Sequence, residues 1–173
     1  MLQQGYVHVY TGNGKGKTTT MLGLVLRAVG AGLRVYIGQF MKSRALSEIT
    51  AIENYLPNVK VDLYGGEYVL GSYLAENDAI AAKQGLVRAE QAILSGEYDM
   101  VALDEINVAA FMGLIDIQDV LQLIEKKPAN VELVLTGRYV IREIVALADL
   151  VSDIVDVKHY YNIGVPARVG IEL

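Results

Sequence analysis

Residues 11–19 read Thr-Gly-Asn-Gly-Lys-Gly-Lys-Thr-Thr, and no other stretch restricts the fold as strongly. They follow a β-rich run, Tyr6–Tyr10, and open a run with helical spacing from Lys17 to Val29. In that run Met21, Leu22, Val25, Leu26 and Val29 share one face, and Gly30 and Gly32 supply a stop. Strand, glycine-rich loop and helix, in that order, make a phosphate-binding loop, whose pattern is G-x-x-x-x-G-K-[ST]. Gly16, Lys17 and Thr18 match its end. The strict pattern asks for glycine where this chain has Thr11, and Gly12 lies one residue later. That departure bears on loop shape rather than on charge.

The residue types suit the chemistry. Glycines let backbone N–H groups point at phosphate oxygens without a Cβ in the way. The helix beginning at Lys17 adds the positive end of its dipole. Lys17 supplies a mobile ammonium, Lys15 a second cation, and the Thr18 hydroxyl a ligand for Mg²⁺. A nucleoside triphosphate, ATP with Mg²⁺, is the expected occupant.

The rest of the chain keeps alternating. Strands are expected at Leu33–Phe40, Val59–Leu63, Tyr98–Leu103, Val131–Thr136, Val151–Val157 and Val169–Leu173. Helices are expected at Ser47–Leu56, Leu74–Leu94, Ile117–Lys126 and Val140–Leu147. Pro57 and Pro128 follow two of them. Strands separated by helices imply a mostly parallel sheet with helices on both faces. Apolar runs such as Val101-Ala102-Leu103 fit strands buried on both sides. The expectation is one three-layer α/β domain over residues 1–173. Tyr64–Gly71, with three glycines and two tyrosines, reads as a functional loop.

Composition removes several classes of function. The chain has 15 Lys plus Arg against 20 Asp plus Glu, a formal charge of −5, so nucleic acid is not an expected partner. There is no cysteine, which excludes disulfides and zinc–thiolate sites. No signal peptide opens the chain, and no apolar run approaches the ~20 residues of a membrane span. A soluble, cytoplasmic protein is expected.

A second chemical element is Met100-Val101-Ala102-Leu103-Asp104-Glu105, an apolar strand ending in two carboxylates. An acidic residue here holds Mg²⁺ in phosphate-loop proteins. Strand alternation sends the two side chains to different sides, so one of them is expected to face the metal. A helix N-cap role is the alternative, and Asp104 could serve both. Glu105 as a general base for water would make the chain a hydrolase. A guanine-reading Asn-Lys-x-Asp signature and an arginine-rich lid are both absent, which disfavours a GTPase and a nucleoside kinase. His8, inside the first strand, reads as structural, and the role of His159 stays open.

Several segments together resemble the P-loop type of ATP:corrinoid adenosyltransferases. They are Thr11–Thr19, Arg27-Ala28-Val29-Gly30, Gln39-Phe40-Met41-Lys42, Leu103-Asp104-Glu105 and Thr136-Gly137-Arg138. The tail from Val157-Lys158-His159 through Gly164-Val165 to Gly170-Ile171 completes the series. The resemblance implies a RecA-like P-loop fold, a homodimer and an electron-donating reductase as partner. It implies that Co(I) of a corrinoid attacks C5′ of ATP and that triphosphate leaves. By position, Gly12, Asn13, Gly14, Lys15, Gly16, Lys17, Thr18 and Thr19 would bind phosphates. Lys15, Lys17, backbone amides and Mg²⁺ would stabilise the departing charge, Glu105 joins the two lysines as a catalytic residue, and Thr18, Glu105 and Asp104 would serve Mg²⁺. Arg27 would help hold the nucleoside, and Tyr68, then Tyr73, would face the corrin. Many members carry an N-terminal arm over the neighbouring subunit's site. Only about five residues precede the first strand here, so the corrin site is expected to be open or covered by another segment. The open alternatives are a P-loop ATPase or phosphotransferase and an ATP-binding module without chemistry.

Overall fold

A computed structural model describes residues 2–44, 46–65 and 76–173. Tyr68 and Tyr73 lie outside the described residues, as does nearly all of the Tyr64–Gly71 loop. Among the described residues six strands form one parallel sheet: β1 (Val7–Thr11), β2 (Val35–Phe40), β3 (Val59–Tyr64), β4 (Met100–Asp104), β5 (Glu132–Thr136) and β6 (Leu150–Asp153). Their order is β3-β2-β4-β5-β1-β6, and every pairing is parallel. Six helices connect them: α1 (Lys17–Gly30), α2 (Ser47–Tyr55), α3 (Glu76–Leu94), α4 (Ile106–Phe111), α5 (Ile117–Lys126) and α6 (Arg142–Leu147). The expected three-layer α/β architecture is the one observed. No helix of the described residues is long and apolar enough to cross a membrane.

Alternation along the central strands builds two cores, one on each face of the sheet. Val101 and Leu103 of β4, with Leu133 and Leu135 of β5, pack toward α3–α6. Met100, Ala102 and Val134 pack toward α1 and α2. The buried stripe of α1, Lys17, Met21, Val25 and Ala28, keeps helical spacing and meets that second face. The same alternation sends Asp104, two residues past Ala102, toward the start of α1. Sequence spacing and sheet register therefore bring the second acidic element to the phosphate loop.

Two expectations fail at the C-terminal end. Val169–Leu173 is not a strand: the N–H groups of Ile171, Glu172 and Leu173 all bond to the Arg168 carbonyl in a local turn. Gly170, at φ 78°, holds the left-handed conformation that closes it. The last strand stops at Asp153 rather than Val157, because the backbone beyond it serves the loop. Ile154 N–H donates to Thr11 O, and Ile154 O accepts from Gly14 N–H at 2.7 Å. A helix not expected from the sequence, α4, starts directly after the two carboxylates.

Candidate functional site

The site lies where strands β1, β2, β4 and β5 end, the usual crevice of a parallel sheet. A cleft of about 900 Å³ opens there, walled by residues 13–19, the start of α2, and the chain after β6. The N–H groups at the start of α1 meet no capping side chain, since Gly16 at φ 129° precedes the helix. They remain available to an anion. Gly12, at φ 97°, packs so close to the chain after β6 that a Cβ would lie 2.2 Å from Asp153 Oδ1 and 2.4 Å from Ile154 O. A glycine displaced by one residue from the strict pattern is thus required by this loop's own packing.

Lys17 is buried, and its ammonium donates to the carbonyls of Gly12 and Gly14, both at 2.8 Å. Burial pulls its pKa below the ordinary lysine range, with Glu105 as the strongest opposing influence. Lys15 stands at the mouth of the cleft, 3.9 Å from the Glu172 carboxylate and 3.4 Å from Ile171 O. Asn13, Thr18 and Thr19 complete the loop's contribution to the cleft wall.

Asp104 is wholly buried, yet four side chains donate to it. Thr18 Oγ1 lies 3.0 Å from Oδ1 and 3.2 Å from Oδ2. Thr136 Oγ1 lies 2.6 Å from Oδ1, and Gln39 Nε2 and Lys42 Nζ lie 3.1 and 2.9 Å from Oδ2. Glu105 does not follow strand alternation. The strand ends at Asp104, and Glu105 takes a left-handed conformation at φ 59° as N-cap of α4. Its carboxylate caps nothing and lines the cleft beside the loop. Both acids therefore converge on the site, where one was expected. Burial, then the Asp104 charge, raises the Glu105 pKa, while Lys17, Lys42 and Arg138 oppose the rise.

Arg27 is not among the residues that line the cleft. Arg27 sits exposed in the last turn of α1, ten residues beyond Lys17 and about 15 Å further along the axis. The helix axis carries Arg27 away from the phosphate loop. Tyr68 lies outside the described residues. His8 bonds to Glu132 at 2.6 Å and to Tyr10 at 3.2 Å outside the cleft, in keeping with a structural role. His159 lines the cleft, and its Nδ1 accepts from Tyr161 N–H at 3.0 Å.

Sequence reasoning assigned no role to Gln39, Lys42, Thr136, Arg138 or Glu172. The first four stand at or just past the ends of apolar strands, which is the signal that could have found them. Glu172 comes to Lys15 through the tail's own fold. Tyr160 and Arg168 both donate to its carboxylate, and those hydrogen bonds hold its pKa down to about 2.

The oxygen donors suit Mg²⁺. This ion takes one or two carboxylates together with phosphate oxygens and water, so it needs no cage of three acidic or imidazole side chains. No such cage occurs among the described residues. The buried Gln39 Oε1 has no hydrogen-bond partner, beside an Asp104–Thr18 pair that faces the loop. An orphaned acceptor next to that pair fits a metal with bound water.

A parallel sheet with a glycine-rich loop after β1 and an acid after β4 defines a P-loop nucleotide-binding fold. A KaiC-like protein from Pyrococcus horikoshii shares it, with a TM-score of 0.60 at 18% identity over 87% of this chain and 73% of that one. The chain belongs to the family described as ATP:corrinoid adenosyltransferase BtuR/CobO/CobP, whose model matches residues 3–173. It is 32% identical over 171 residues to a corrinoid adenosyltransferase of Escherichia coli strain K12, covering 98% of this chain and 86% of that protein. A corrinoid adenosyltransferase of Pseudomonas aeruginosa is 31% identical over 98% of this chain and 84% of its own length.

Proposed function

We propose that the protein transfers the 5′-deoxyadenosyl group of ATP to the Co(I) centre of a corrinoid and releases triphosphate. Family membership over residues 3–173 supports the reaction. The observation that carries it is the phosphate loop, where Lys15, Lys17 and the uncapped N–H groups at the start of α1 meet at one cleft. The Co(I) electron pair forms the cobalt–C5′ bond while the C5′–O5′ bond breaks and its pair leaves with the triphosphate. The protein's task is to orient ATP and to meet the charge that develops on the leaving group.

Lys17 and Lys15 perform that task, with the uncapped N–H groups at the start of α1. Lys17 exchanges the carbonyls of Gly12 and Gly14 for phosphate oxygens. Arg138 stands close enough to Lys17 and Glu105 to influence both charges, and it adds a further cation. Mg²⁺ as cofactor would supply charge neutralisation on the phosphates. Thr18 Oγ1, Asp104 and Glu105 are the residues that would hold it. The same reading takes a second copy of the chain and an electron-donating reductase as partners, and places the enzyme in the cytoplasm.

Anaerobic incubation with ATP, Mg²⁺ and a Co(I) corrinoid tests the proposal. The spectrum should change to that of an alkyl–cobalt bond, with one triphosphate released per corrinoid consumed. ADP plus phosphate as the products would overturn it in favour of an ATPase or phosphotransferase. Tight Mg-ATP binding without turnover would favour a binding module.

A further inference from the structure

Three of the four donors to Asp104 are fixed by secondary structure. Gln39 is its register partner on β2, Thr136 ends β5, and Thr18 lies in the first turn of α1. Lys42 is held differently. It follows the end of β2 by two residues, and Met41 between them takes the left-handed conformation at φ 58°. That conformation is uncommon for a side chain of this kind and is maintained by its surroundings. Met41 N–H donates to Tyr64 O at 2.8 Å. Gly65 packs so tightly on this turn that a Cβ there would lie 2.5 Å from Lys42 N. The backbone is thus constrained to aim Lys42 into the cleft.

At its tip Lys42 meets two carboxylates, Asp104 at 2.9 Å and Glu48 of α2 at 3.6 Å. A wholly buried carboxylate needs a counter-charge, and Lys42 is the one cation that donates to Asp104 among the described residues. Unlike Gln39 and Thr136, Lys42 is partly exposed and lines the cleft. Thr18 lines the cleft as well and bonds the same carboxylate. A divalent cation brought in with a polyphosphate would therefore compete with the ammonium for Asp104.

We propose that Lys42 is an exchangeable counter-ion: it neutralises Asp104 in the free protein and turns to the polyphosphate when a divalent cation takes that carboxylate. Glu48 keeps the ammonium at the cleft wall during the exchange, and the leaving triphosphate gains one more positive contact. The inference rests on the proposed nucleotide site, although its test involves no corrinoid.

Lys42→Met removes the ammonium at nearly equal length, and Lys42→Gln keeps a neutral donor toward Asp104. Mn²⁺ binding without nucleotide, followed by electron paramagnetic resonance, should tighten about tenfold or more in either variant. That is the scale on which one adjacent charge biases a carboxylate's occupancy. Tripolyphosphate binding in saturating Mn²⁺ should weaken by about the same factor. The double variant Lys42→Met/Asp104→Asn should lose the gain in Mn²⁺ affinity. Unchanged or weaker Mn²⁺ binding in the single variants, or unaltered tripolyphosphate binding, overturns the proposal. In wild-type protein carrying ¹⁵N-labelled lysine, the Lys42 Nζ resonance should move when Mg²⁺ and tripolyphosphate are added together. A stationary resonance overturns the exchange even if neither variant folds. Wild-type turnover with normal Mn²⁺ behaviour in the variants would refute the exchange alone. Tightened Mn²⁺ binding in the variants, with no corrinoid turnover by the wild-type protein, would refute the adenosyl-transfer reading alone.

Discussion

The Thr136 hydroxyl ties together the two acids of the site, and removing it gives a sharp test of the geometry. It donates to Asp104 Oδ1 at 2.6 Å and accepts from Glu105 N–H at 3.1 Å, in a residue with no exposed surface. Thr136→Val keeps the shape and deletes only the hydrogen bonds. A hydrogen bond to a charged acceptor contributes about 1.5–3 kcal/mol, and an orphaned buried N–H costs about 1–3 kcal/mol. Asp104 keeps its other three donors, so the combined loss should fall near 3 kcal/mol rather than at the sum of the extremes. For a chain of this length that lowers Tm by about 6–12 °C. Urea unfolding followed by circular dichroism, with calorimetry beside it, measures both quantities. Thr136→Ser is the control: it keeps the hydroxyl and should lose only about 1 kcal/mol with the methyl group. The Val variant should also bind Mg-ATP more weakly, while the Ser variant should not. A Val variant within about 0.5 kcal/mol of wild type would refute the tether between the two acids.

Lys17→Ala should abolish turnover through a loss of several kcal/mol (on the order of 3) of stabilisation on the leaving triphosphate; near-normal rates in single-turnover kinetics would remove Lys17 from the mechanism. Glu105→Gln should act through pH. Burial raises the Glu105 pKa above its unfolded value, so this group costs the fold nothing at acid pH, destabilises it progressively as pH rises past the unfolded pKa, and reaches its full cost above the folded pKa. The substitution should therefore stabilise the protein at alkaline pH and not at acid pH. It should also erase any acid limb of kcat that this group creates. Equal urea midpoints for the two proteins at alkaline pH would contradict a buried, displaced carboxylate.

Much of the fold follows from local rules. Met21, Val25 and Ala28 recur at helical spacing, and Val101-Ala102-Leu103 can be buried on both sides only within a covered parallel sheet. The tail departs from the expected strand because Val169–Leu173 has strand-like composition but no ladder to join. Its N–H groups satisfy themselves on the Arg168 carbonyl, and composition cannot see that choice. Arg27 illustrates the opposite limit. Family resemblance pointed to the nucleoside, but helix geometry carries the residue away from the phosphate loop.

By itself the sequence determined the phosphate loop, because glycines, lysine and threonine act there through their own backbone freedom, charge and oxygen. It also determined that an acid ends an apolar strand. Only the tertiary structure decided which groups surround that acid. Thr18, Gln39, Lys42 and Thr136 are separated by up to 118 positions and meet at Asp104 because β4 lies between β2 and β5. Strand order is a long-range property, set by packing two helical layers against one sheet, and no local spacing encodes it. The loop is a local pattern; the donors around Asp104 are set by the sheet order.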